Sequence, residues 1–136
     1  MSREDGDIYE QQAEEICLAL SYQVIRPPVG NQRSWDRLVN GKRLQIKKRG
    51  IDTSKPNNIR LVTSLTSSEV VYNANDVDAF AIFWAQCWFV IPSSALADSS
   101  GDIRNGLYMP NFNDYQRRWD VLAGAHVAQE VQAVMF

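Results

Sequence analysis

Histidine is nearly absent from this chain. The only one in 136 residues is His126, in the C-terminal tail, which leaves a histidine-metal finger or a histidine general base without support. Cysteine is scarce as well. Cys17 and Cys87 lie far apart, form no CxxC and have no neighbouring histidine, so reduced thiols and a cytoplasmic setting are expected. No apolar run reaches the roughly 18 residues of a membrane span. The longest, "AFAIFWAQCWFVIP", has the length of a strand pair. The opening "MSREDGDIYEQQ" is acidic and polar, the opposite of a signal peptide. Repeats and low-complexity segments are missing too. What remains is an ordinary globular composition, 45% hydrophobic and 22% charged, and 1–136 is expected to form one domain around one core.

The net charge of −2 conceals an asymmetry. Residues 26–60 hold ten basic side chains against Asp36 and Asp52, a local charge of +8, whereas residues 1–20 hold six acids and only Arg3. A basic segment on an acidic chain is the footprint of a partner carrying phosphate, although a lysine-rich hairpin can also be merely solvated.

The periodicity of "DIYEQQAEEICLAL" predicts a helix over 7–20, with Ala13, Ile16, Cys17 and Leu20 as its buried stripe. One turn earlier the stripe reaches Tyr9 and Glu10, so Glu10 lies at the margin of the core-facing side and Glu15 points away. "YQVIR" reads as a short strand and "IRLVTSL" as another. "DAFAIFWAQCWFVIP" reads as a strand pair or one long strand with a break near Ala85-Gln86, its aromatics belonging to the core or to a subunit contact. "ADSSGDIRNG" is expected to be a loop and "FNDYQRRWDVLAG" a short helix. The tail spaces Val127, Val131 and Val134 or Met135 like an amphipathic helix.

The most informative stretch is "WDRLVNGKRLQIKK". Asn40-Gly41 is a strong hairpin signal, because both central residues of a type I′ turn need positive φ. With that turn Val39 faces Lys42, and counting back sets Asp36 opposite Gln45. Cross-strand partners share a face, as do residues two apart on one strand. Asp36, Gln45 and Lys47 therefore converge on one side, and Leu44 and Ile46 take the other.

A helix carrying Glu10, followed by a strand pair reading Asp36 … Gln45-x-Lys47, resembles the PD-(D/E)XK nuclease superfamily. Further pieces fall in the order seen in its small members, the Holliday junction resolvases and the homing endonucleases of cyanobacterial group I introns. They are "GDIYE" with Gly6 and Glu10, Tyr22, "RPP" at Arg26, then Asp36, "VDAFAIFWAQCWFVIPSSAL" and "YQRRWDVL". The resemblance spans nearly the whole chain and implies an α/β fold with a central mixed β-sheet flanked by helices. It implies a Mg²⁺-dependent DNA endonuclease, with Mn²⁺ able to substitute. Asp36, Gln45, the Ile46 carbonyl and Glu10 would hold the ion, and Lys47 the attacking water or the scissile phosphate.

Gln45 is the departure, since an acidic ligand normally stands there. Either Glu10 makes up the missing charge and the site is active, or the centre is degenerate and only binds DNA. The glutamine matches the homing branch, which favours a sequence-specific homing-type enzyme over a junction resolvase; a small interaction module that never meets nucleic acid sits badly with the +8 segment. The expected partner is double-stranded DNA, with Arg33, Arg37, Lys42, Lys48, Arg49, Lys55 and Arg60 as candidate phosphate contacts. Cutting both strands from so small a chain would need a homodimer or homotetramer.

Overall fold

The computed structural model describes residues 3–28 and 35–123. Arg33, His126 and the expected tail helix lie outside the described residues. Helix α1 (Arg3–Ala19) is followed by strands β1 (Val24–Ile25), β2 (Arg37–Val39), β3 (Lys42–Lys48), β4 (Asn58–Arg60), β5 (Val70–Asn73), β6 (Ala79–Trp84), β7 (Cys87–Pro92), β8 (Asp102–Arg104) and β9 (Gly106–Tyr108). The central sheet has the order β1-β2-β3-β6-β7. It is mixed, because β3 and β6 run parallel while the other neighbours are antiparallel. Two small ladders, β4–β9 and β5–β8, accompany it.

The stripe on α1 does what its spacing requires. Ala13 and Cys17 are fully buried, Leu20 nearly so and Ile16 partly, packed on Leu44, Ile46, Ala79, Ala81 and Val90 of the sheet. The helix stops where Ser21 adopts φ 65°, with Tyr22 N–H donating to the Cys17 carbonyl at 3.0 Å and Ser21 N–H to Leu18 at 3.0 Å. That is a Schellman-type end. On the opposite face Phe80, Ile82, Phe89 and Ile91 pack with Ile59, Leu61, Ile103, Leu107 and Met109. Strand β6 is therefore apolar on both sides, as expected for a central strand with a parallel neighbour.

The Asn40-Gly41 turn forms as anticipated, with φ of 51° and 81° and the register Val39↔Lys42, Leu38↔Arg43, Arg37↔Leu44. The break at Ala85-Gln86 is a second two-residue turn with positive φ at both positions, joining β6 to β7. Other expectations change. The strand expected at 22–26 shrinks to Val24–Ile25, and the one at 59–65 to Asn58–Arg60. Past Arg60 the chain turns away, held by the buried Asn105 side chain, which accepts from Val62 N–H and donates to the Val62 and Leu65 carbonyls. The loop expected at 97–106 contains β8. In place of the helix near Trp119 there are two 3-10 stretches, Met109–Tyr115 and Trp119–Leu122, separated by Arg117 at φ 55°. Among the described residues no helix is long and apolar enough to cross a membrane.

Helix and hairpin are locked by charge. Glu14 accepts from Arg26 Nη2 at 2.7 Å and from Arg37 Nε at 2.9 Å. Arg37 Nη1 also reaches Glu10 at 3.3 Å and the Asp36 carbonyl at 2.7 Å. The hydrogen bonds from Arg26, then those from Arg37, hold the Glu14 carboxyl down to about 2 against the opposing effect of burial. Arg26 is largely exposed, so the Arg37 contact, with both side chains 11% exposed, carries most of the stabilisation. A carboxyl depressed from its ordinary 4.5 stabilises the fold fully above that pH and loses its contribution as pH falls towards 2. Glu14→Gln is expected to lower stability by about 2 kcal/mol at pH 7 and to flatten stability between those two pH values, measured by urea unfolding.

Candidate active site

Asp36 stands one residue before β2 and finishes that strand's pairing with its side chain. Its N–H donates to the Leu44 carbonyl at 2.7 Å, and its Oδ2 accepts from the Ile46 N–H at 2.8 Å. Residues 45–48 of β3 have β6 as a partner but no β2 residue opposite, so the carboxylate occupies the edge that β2 vacates. Within a strand residue N–H and C=O point to the same edge. The Ile46 carbonyl therefore faces the gap on the Asp36 side. Gln45 and Lys47 project from the face away from α1, while Leu44 and Ile46 are buried against the helix.

A cavity of about 510 Å³ opens at this end of β3. Glu10, Asp36, Gln45, Ile46 and Lys47 all line it, together with Tyr9, Lys48, Arg49, Gly50 and Thr63. All the residues expected to form a metal-and-lysine centre thus share one space, with Glu10 reaching it from α1. The Gln45 carboxamide makes no hydrogen bond among the described residues, which leaves its oxygen available.

The electrostatics are those of a partly dry site. Burial, followed by the charge of Asp36, raises the Glu10 carboxyl above its usual range, with Arg37 opposing. Burial also raises Asp36, against the Ile46 N–H and the charge of Lys47. Burial and the neighbouring Arg49 bring Lys47 down to about 8, with Asp36 pulling the other way. Each charged form is disfavoured where it stands. Two adjacent carboxylates with incompletely compensated charge, an amide oxygen and a strand carbonyl form an all-oxygen donor set. This fits a hard divalent ion such as Mg²⁺, which takes one or two carboxylates and keeps several waters. No histidine or cysteine lines the cavity, and among the described residues no group of three or more His, Cys, Asp or Glu side chains could hold a metal, so its charged donors number two, Glu10 and Asp36.

Sequence reasoning missed the groups around this centre. Lys47 Nζ lies 5.5 Å from the centroid of the Tyr72 ring, and Lys48 Nζ lies 5.8 Å from that of Tyr9. Burial and the charge of Asp36 push the Tyr72 hydroxyl up to about 12. Tyr72 and Thr63 arrive from β5 and the 60s loop, and no local pattern marks either. Glu14 was discoverable, since it is four residues from Glu10 and shares its helix face.

The candidate phosphate contacts divide. Arg37 and Lys42 do not line the cavity and are engaged with the protein itself. Arg37 is bound to Glu10 and Glu14, and Lys42 donates to the carbonyls of Val121 at 2.9 Å and Ala123 at 3.3 Å. Lys48 and Arg49 line the cavity, and Lys55 and Arg60 line a second one that also touches Arg49.

No family model matches this chain, and no curated protein resembles it in sequence. Its fold, however, is that of a solved protein described as a bacterial homing endonuclease, I-Ssp6803I. The two superpose with a TM-score of 0.67 over 92% of this chain and 95% of the other, at 18% identity.

Asp36→Asn keeps an acceptor for the Ile46 N–H and removes the desolvated charge. A carboxyl raised above its ordinary 3.8 gives up stability as pH rises through its folded value, so the ionised form is a burden at pH 7. Without added metal, Asp36→Asn is expected to stabilise the fold by about 1 kcal/mol at pH 7, measured by urea unfolding; a loss of stability would contradict this account of the site.

Proposed function

We propose that this chain is a Mg²⁺-dependent DNA endonuclease of the PD-(D/E)XK type. The observation that carries the reading is the convergence of Glu10, Asp36, Gln45, the Ile46 carbonyl and Lys47 on one cavity at the end of β3. The fold shared with a bacterial homing endonuclease supports it.

Asp36, Gln45, the Ile46 carbonyl and Glu10 would hold the ion. When bound, Mg²⁺ lowers the pKa of water and offsets negative charge on the phosphate. The protein's own part is to orient and to neutralise. The Ile46 N–H fixes the Asp36 carboxylate, and Arg37 restrains Glu10 from behind. Lys47, steadied over the Tyr72 ring, holds the attacking water or a non-bridging oxygen of the scissile phosphate. Hydrolysis would leave a 5′-phosphate and a 3′-hydroxyl. The neutral Gln45 and the fold favour a sequence-specific homing-type enzyme that cuts double-stranded DNA in the cytoplasm as a homodimer or homotetramer. A silent DNA-binding protein is the second reading, because Gln45 leaves two carboxylates, Glu10 and Asp36, as the charged donors.

In nicking assays with Mg²⁺, Asp36→Ala and Lys47→Ala are each expected to abolish cleavage while circular dichroism stays native. Cutting by either variant would overturn the assignment. Saturating Mg²⁺ should raise the melting temperature of the wild type and leave that of Asp36→Asn unchanged, since a ligand at a hundred times its Kd adds about 2.7 kcal/mol. Gln45→Glu should bind Mg²⁺ at least as tightly as the wild type, read by the same thermal shift. Weaker binding would mean that the site is built for a neutral amide.

A further inference from the structure

A second cavity, of about 570 Å³, adjoins the first and shares Arg49, Gly50 and Thr63 with it. Its charged lining is Arg49, Lys55 and Arg60 against Asp52 alone. Asp52 is already engaged, since its Oδ1 accepts from Ser54 N–H at 2.9 Å and from Ser54 Oγ at 2.8 Å. Hydroxyl and amide side chains from the 54–67 segment complete the lining. A surface rich in cations and neutral donors, with its one acid satisfied, is complementary to phosphodiester oxygens.

Arg49 sits where the two cavities meet, and its posture is unusual. Its guanidinium donates to the carbonyls of Lys48, Arg60 and Leu61, through Nη1 at 2.7 Å, Nε at 2.6 Å and Nη2 respectively. Three of its five N–H groups are therefore committed to backbone, which fixes the plane of the group before any ligand arrives. The remaining donors are held at the junction of the cavities without the entropic penalty of ordering a free arginine. Lys55, in contrast, has no side-chain hydrogen bond among the described residues.

We propose that this second cavity seats the DNA backbone next to the scissile phosphate, with Arg49 as a braced clamp shared by the two positions. The proposal rests on the nuclease reading and extends it to the path of the strand. Thr63 and the 60s loop then form the wall along which the strand passes, and Lys55 neutralises the phosphate farthest from the catalytic cavity.

Gly50 provides the test. It lies at the junction, its φ is not in the left-handed range, and a Cβ placed there meets nothing within 4 Å. Gly50→Gln and Gly50→Glu therefore introduce side chains of one size that differ in charge. With a long DNA duplex in EDTA, so that binding is read apart from cleavage, Gly50→Glu is expected to bind at least about tenfold more weakly than Gly50→Gln. Lys55→Gln should lower the slope of log affinity against log salt by about one unit. Equal affinity of the two Gly50 variants together with an unchanged slope for Lys55→Gln would overturn the proposal, as would a wild type that binds no duplex. If the wild type cuts DNA yet the Gly50 variants bind alike and the Lys55→Gln slope is unchanged, the strand path is wrong and the nuclease reading stands. If the Gly50 pair separates and the Lys55→Gln slope falls but the wild type never cuts, the path holds and catalysis does not.

Discussion

The site depends on a substitution of side chain for backbone. Where β2 stops short of the end of β3, the Asp36 carboxylate takes the Ile46 N–H that a further strand residue would have taken. That hydrogen bond ends the pairing of β2 and β3. It also anchors an acid beside a strand carbonyl, and leaves Gln45 and Lys47 half-buried along the wall of the cavity. A longer β2 would have paired this edge and closed the cavity. A shorter one would have left the Ile46 N–H unpaired at about 1–3 kcal/mol.

Around that edge, the charges are arranged in series rather than scattered. Glu14 restrains Arg37, Arg37 restrains Glu10, and Glu10 shares the cavity with Asp36. The outermost link, Arg26 to Glu14, is the most exposed and the most easily screened. Each acid nearer the cavity is more hindered in holding its charge. Glu14 ionises more readily than a free carboxyl, whereas Glu10 and Asp36 do so less readily. Tension of this kind at the innermost position is a common mark of a place reserved for a ligand.

Much of this was legible in the sequence, for identifiable reasons. The Asn40-Gly41 turn fixes the hairpin register because few other residues tolerate its backbone, and the register alone sets Asp36 across from Gln45. The α1 stripe and the β6–β7 break were legible from apolar spacing and run length. The β5–β8 and β4–β9 ladders were not, because their strands have three or four residues each and show little alternation. The stretch ending in Leu122 looked helical in composition, but Arg117 with positive φ splits it and lets Trp119 pack against Trp88 at 5.6 Å. Counting charge shows less than the fold does. A formal +8 does not reveal that Arg37 and Arg43 are paired with acids, or that Lys42 is bound to carbonyls. Partners distant in sequence decide which cations stay free.

The Lys47-Lys48 pair has one more consequence. Each ammonium stands over a tyrosine, but the two rings belong to opposite layers, Tyr72 from β5 and Tyr9 from α1. Two identical neighbours therefore do different work, told apart only by whether their position along β3 is odd or even. A one-residue insertion or deletion between the Asn40-Gly41 turn and Leu44 would place a lysine on each face once more, yet it would drive Leu44 and Ile46 out of the core and turn Gln45 inward. Length changes in this hairpin are thus acceptable only in pairs of residues, and the parity of the strand is inherited along with the chemistry.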